Sequence, residues 1–201
     1  MNARSPAADA VSLLRRHFAG VARVSDRSEP VRFVIDRRSG LLVLPLTGAD
    51  HLELLLPDDT DPEMAILLET AHDHAALASG TFRWQVYHDP ENVGSFSCYA
   101  IGSARARAET FDADDLALRF DWAPEESALC RLLNESTPKL AAACARRTGA
   151  RLGECRAIGA DPDGIDVRTR VGVARVEFLS PADDIAAARA QASLLLAGAS
   201  P

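Results

Sequence analysis

A chain of 201 residues, 47% hydrophobic and 25% charged, is long enough to bury a core and lies at the boundary between one domain and two. Its net charge of −7 gives no footprint for a polyanion, and 5% aromatic residues leave little surface for stacking bases. Nucleic acid and anionic membranes are therefore excluded as expected partners. Cys98, Cys130, Cys144 and Cys155 form no C-x-x-C pair and have no histidine at zinc-finger spacing, which points to reduced, buried thiols. The first residues lead into an amphipathic pattern rather than a signal-peptide stretch, and no apolar run approaches the ~20 residues of a membrane span. The expected location is the cytoplasm.

Ser5 and Pro6 read as an N-cap followed by proline at the first helical position. Ala10, Val11, Leu14, Phe18 and Val21 share one face of the helix that follows, which Gly20 is expected to stop. Val31, Phe33 and Ile35 then alternate with polar residues, and Arg37-Arg38-Ser39-Gly40 turns the chain into the apolar run 41–46, giving a β-hairpin. A short helical piece is expected over 50–56, ending at Pro57. Three strands follow, at 64–70, 81–88 and 96–109; on the second, Trp84 and Tyr87 fall on opposite faces.

After Phe111 the periodicity changes. Asp112 is placed to cap a short helix, 123–134 reads as helical, and 138–150 is a further helix closed by Gly149. Three short strands, 154–159, 165–170 and 173–178, are joined by tight turns, Asp161-Pro162-Asp163-Gly164 being a strong turn signal. Ser180-Pro181-Ala182-Asp183 opens a last helix with Ile185, Ala188, Ala192 and Leu195 on one side. The expected organisation is a first domain over 1–122 and a C-terminal helix and three-stranded module over 123–201.

The nonapeptide Ile158-Gly159-Ala160-Asp161-Pro162-Asp163-Gly164-Ile165-Asp166, with the closing helix after it, resembles the C-terminal module of the haem-utilisation branch of the pyridoxamine phosphate oxidase-like superfamily, whose turn reads I-G-x-D-x-D-G-I-D. Upstream, the segment 43–54 is similar to the family's split-barrel segment that runs into H-T-R-N-L. The resemblance implies an α+β fold: a split β-barrel of the FMN-binding type followed by a C-terminal α/β module, assembled as a homodimer. It also implies a haem or flavin ligand. The chain departs from the family at two places. Where the family has H-M-N-x-D-H, it has Leu132-Leu133-Asn134-Glu135-Ser136-Thr137, keeping the asparagine and losing both histidines. Where the family has the hydroxyl and basic residue of H-T-R-N-L, it has Leu52 and Glu53, and a carboxylate repels a flavin phosphate. A tetrapyrrole, haem, is thus the more concrete ligand and FMN the less expected one.

His72-Asp73-His74 is the best metal-like feature, because residues two apart on a strand project to one side, with His88 as a third donor if the strands pair. The competing reading is a solvated strand end. His51 matches the family histidine beside the cofactor, or it is an exposed helix-start residue next to Asp50. Arg32 and Thr47 lie where split-barrel strands offer a guanidinium and a hydroxyl to a phosphate or propionate, or face solvent. The acidic run Asp58-Asp59-Thr60-Asp61 lacks the glycine and distal glutamate of an EF-hand loop. No nucleophile motif and no phosphate-binding glycine loop is present, so no catalytic residue is nominated. Three functions stay open: a tetrapyrrole-binding or haem-handling protein, an FMN-dependent oxidoreductase, and a non-catalytic interaction protein on the same scaffold.

Overall fold

Residues 4–46, 48–88, 94–149 and 153–198 are described by the computed structural model, and the chain divides into two units, one reaching Arg119 and the other beginning at Phe120. In the first unit, α1 (Pro6–Arg16) starts where expected: the Ser5 side chain accepts from the Ala8 N–H, and Ala10, Val11 and Leu14 are buried. The helix ends earlier than the pattern predicts. His17 turns extended, and residues 19–24 alternate as a strand, so Val21 and Gly20 belong to β1 (Ala19–Val24). β1 pairs with β2 (Arg27–Arg32), and the expected hairpin forms between β3 (Val34–Ile35) and β4 (Leu42–Leu44).

The helix expected over 50–56 is instead β5 (His51–Leu56). A short leucine-rich run reads as either element; here tertiary pairing decides, since β1 and β6 (Met64–Ala71) flank it on both sides and Leu52, Leu54, Leu55 and Leu56 are all buried. The strand expected over 81–88 is also overturned. It is the second half of α2 (His74–Tyr87), whose buried positions Ala76, Gly80, Trp84 and Tyr87 follow a helical period, so the alternation of Phe82, Trp84 and Val86 was misleading. Asp73 caps this helix by accepting from the Ala76 N–H at 2.9 Å. β7 (Ser97–Ala106) and β8 (Glu109–Asp112) complete the sheet.

The antiparallel strand order is β2-β1-β5-β6-β7-β4-β3, with β8 beside β7. The two ends of this order are joined by one residue, Phe33, whose N–H donates to the Phe18 carbonyl at 3.0 Å. Strands at opposite edges can be so connected only if the sheet curls strongly, and the result is a half-barrel. Its interior is filled by Phe33, Leu42, Leu44, Leu54, Ile66, Leu68 and Tyr99. α2 lies against β4 through a close approach at Gly80, where an added Cβ would stand 2.3 Å from Val43 Cγ2.

In the second unit, β9 (Arg156–Asp161), β10 (Gly164–Thr169) and β11 (Gly172–Glu177) form an antiparallel sheet with α3 (Glu126–Asn134), α4 (Thr137–Thr148) and α5 (Ile185–Ala197). Gly149 ends α4 at φ 69°, a left-handed conformation that suits glycine. α5 starts later than expected, capped by Asp184 rather than Ser180. α3 runs along the edge of β9. The Asn134 amide donates to the Ala157 carbonyl at 2.9 Å and accepts from its N–H at 2.8 Å, while the buried carboxylate of Glu126 accepts from the Ala160 N–H at 3.0 Å. Eight residues of helix rise ~12 Å and three of strand ~10 Å, so the two side chains bracket the strand edge and satisfy it.

Candidate functional site

The chemistry of the first unit gathers in a small cleft, with an enclosed space of about 10 Å³, lined by Arg15, His17, Phe18, Val34, Ile35, Arg37, Arg83 and Tyr87. Each element brings its share for a local reason. Arg15 sits in the last turn of α1, where a guanidinium complements the helix dipole, and it is buried with Nη2 donating to the Leu118 carbonyl at 3.0 Å. The chain leaves the helix at His17, which places the imidazole and the Phe18 ring beside it. Arg37 follows β3 in the hairpin turn and is buried. Arg83 and Tyr87 are one helical turn apart on α2; Arg83 Nη1 donates to Tyr87 Oη at 3.3 Å and the guanidinium carbon stands 5.8 Å from the ring centre. Tyr87 packs on Phe18 with ring centres 5.4 Å apart, giving the cleft an aromatic wall.

Three guanidiniums line one concavity, with the Asp36 carboxylate acting on Arg83 and the charge of Glu63 on His17. The planar fork of arginine matches a carboxylate or phosphate with two parallel hydrogen bonds. His17 is half-buried, and burial lowers its pKa below the ordinary 6.5; the charge of Glu63 opposes this and that of Arg16 adds to it. Its ring is therefore biased toward the neutral form, which has a lone pair to offer.

The residues nominated from sequence lie elsewhere. His72 is exposed beyond the end of β6, His74 is the exposed first residue of α2, and the Asp73 carboxylate between them is used in the helix cap. His88 cannot join them across paired strands, because 74–87 is helix. Its ring is buried 4.9 Å from the centre of Trp84, and since a carbonyl only accepts, the 3.2 Å contact has Nε2–H donating to Phe33 O. His51 is exposed at the start of β5, opposite Glu69. The Arg32 side chain is exposed on β2, and its carbonyl accepts from the Trp84 indole at 3.2 Å; Thr47 lies outside the described residues. Leu52 is a core residue, and Glu53 pairs with Arg23 at 3.0 Å, so neither lines the cleft. Among the described residues, no group of three or more His, Cys, Asp and Glu could hold a metal ion.

No protein-family model matches the chain, and no curated protein matches it. Among solved structures it is similar to a protein of unknown function from Agrobacterium tumefaciens, at a TM-score of 0.66 and 16% identity, covering 96% of this chain and 97% of that one. The likeness is one of fold. A heme binding protein from Mycobacterium smegmatis matches at 18% identity over 98% of each chain, with a TM-score of 0.42.

Sequence reasoning missed Arg15, His17, Arg37 and Arg83. The usable signal was the spacing of Arg83 and Tyr87, which are one turn apart on a helix; on a strand the two share a face but stand ~13 Å apart, out of reach of each other. Arg15 and His17 become neighbours of Arg37 only through the fold, and no local pattern announces that.

Two features of the resembling C-terminal segment find a structural use. Asn134, the one residue kept from H-M-N-x-D-H, ties α3 to β9. Asp161 and Asp166 of the nonapeptide turn both bind the buried Arg175 guanidinium, with Nη1 donating to Asp166 Oδ1 at 2.7 Å and Nη2 to Asp161 Oδ1. Through Arg175 on β11, the two carboxylates thus tie β9 and β10 to the third strand.

Proposed function

We propose that the protein is a tetrapyrrole-binding member of the haem-utilisation branch of the split-barrel superfamily, and that it binds its ligand by the carboxylates rather than transforming it. The observation that carries this reading is the convergence of Arg15, Arg37 and Arg83 on one cleft beside His17 and the Phe18–Tyr87 wall. The enclosed space is about 10 Å³, room for a group the size of one water, so the cleft would admit a carboxylate and leave the macrocycle outside it. The guanidiniums take the propionates, Phe18 and Tyr87 offer an apolar surface, and a neutral His17 is the nitrogen donor nearest to hand. Haem, when bound, would supply an iron centre for ligand and electron chemistry.

A flavin phosphate is the second reading, favoured by the same three guanidiniums. The repulsion expected from Glu53 does not act at this cleft, because Glu53 is paired with Arg23 away from it. Titration with haemin, followed by the Soret band, and with FMN, followed by fluorescence quenching, separates the two. The expected result is a saturable Soret shift with haemin, weakened about tenfold in Arg83→Gln through loss of a charge-assisted hydrogen bond. Tight FMN quenching with no saturable Soret shift would replace the tetrapyrrole reading with the phosphate one.

A further inference from the structure

We infer that Asp36 is the positioning residue of this cleft, holding the arginine of the hairpin turn and the arginine of α2 in one frame. The inference rests on the cleft being a ligand site, as proposed above. Asp36 stands between two cleft residues, Ile35 and Arg37, at the end of β3. Its main chain closes the turn: the Asp36 N–H donates to the Leu41 carbonyl and its own carbonyl accepts from the Gly40 N–H, both at 2.8 Å. One carboxylate oxygen, Oδ2, accepts from the Ser39 N–H at 2.9 Å and the Ser39 hydroxyl at 2.7 Å.

A turn needs no more than that. The other oxygen, Oδ1, accepts at 2.5 Å from the hydroxyl of Ser79, a residue 43 positions away on α2. Ser79 lies one helical turn before Arg83 and two before Tyr87, on the side of α2 that meets the cleft. One carboxylate therefore bridges the turn that carries Arg37 and the helix that carries Arg83. The group is 5% exposed. Burial alone would raise its pKa, but the hydrogen bonds from Ser79 and Ser39 and the charge of Arg83 outweigh that and hold it below the ordinary 3.8. Asp36 thus stays ionised at neutral pH, where both bridges are charge-assisted.

The test uses the full chain with Ser79→Ala, which cuts the bridge to α2 and leaves the turn intact, and Ser79→Thr, which restores a hydroxyl. Asp36→Asn accompanies them, and Ser79→Ala carries the test if that variant fails to fold. Two readouts are taken: the rates at which phenylglyoxal modifies Arg37 and Arg83 without ligand, by peptide mass spectrometry, and the dissociation constant for protoporphyrin IX. Expected in Ser79→Ala are faster modification of both arginines and about tenfold weaker porphyrin binding, with both restored in Ser79→Thr. Asn134→Ala, which loosens the second unit, should move neither readout, and this separates positioning from general destabilisation. Unchanged arginine reactivity in Ser79→Ala overturns the inference. If the arginines loosen but the wild-type chain binds no porphyrin, the positioning role stands and the ligand reading falls.

Discussion

At the scale of single residues, the cleft and its support depend on groups whose charge states are set by burial and hydrogen bonding, and this links pH to stability. His17 has a lowered pKa in the fold, so the unfolded chain binds a proton more readily, and stability is lost as pH falls below 6.5 toward the folded value. Asp36 has a lowered pKa as well; its contribution is present above 3.8 and is lost as pH falls from there through the folded value. Both losses run in the same direction but in separate windows. Thermal melting followed from pH 8 downward should fall in two steps, the first absent in His17→Gln and the second absent in Asp36→Asn. A melting temperature that rises on acidification from pH 6.5 to 5 would contradict the assignment at His17. The aspartate in the hairpin turn could be read as a turn residue from its neighbours Arg37 to Gly40, whereas its bond to Ser79 could not, since nothing local relates positions 36 and 79.

At the scale of elements, the segment that matters most is α2, and its place is fixed by a missing side chain. Gly80 lets the helix approach β4, and a methyl group there would stand 2.3 Å from Val43 Cγ2 and 2.9 Å from its Cβ. Gly80→Ala gains ~1 kcal/mol of helix propensity but costs about 1–3 kcal/mol of overpacking, and a contact this short puts it toward the upper end. The net expectation is a loss of about 1–2 kcal/mol with α2 pushed outward, read as a lowered melting temperature and faster modification of Arg83. A more stable protein with an unchanged Arg83 would show that the packing is looser than described.

Most elements were legible in the sequence: the capped first helix, the 37–40 turn, the strand from Met64, and in the second unit the helices, the Asp161–Gly164 turn and the three strands. The two errors of type have one cause. In 50–56 and 81–88 the apolar residues are dense enough to satisfy either period, and the choice was made outside the segments: by β1 and β6 for the first, and by the Asp73 cap and packing on Val43 for the second.

At the scale of the whole molecule, a net charge of −7 gives no hint of a cleft lined by three arginines, so composition pointed away from the chemistry that the first unit gathers. The site was illegible for that reason and because its contributors span positions 15 to 87. The histidines that stood out did so by clustering in sequence, but Asp73 between them is a helix cap. The second unit carries the residues that prompted the family resemblance, and there Asn134, Asp161 and Asp166 hold helix to strand and strand to strand. Among the described residues no helix is long and apolar enough to cross a membrane.

The central claim is that the arginines recognise the carboxylates of a tetrapyrrole, and comparing protoporphyrin IX with its dimethyl ester tests it most directly. The two share a ring and differ in whether an anion is presented to the cleft. Equilibrium binding to the unmodified chain should be saturable for the free acid and at least about tenfold weaker for the ester, a gap that closes in the Arg37→Gln, Arg83→Gln double variant. Equal affinity for acid and ester, or a gap that persists without the two arginines, would contradict it.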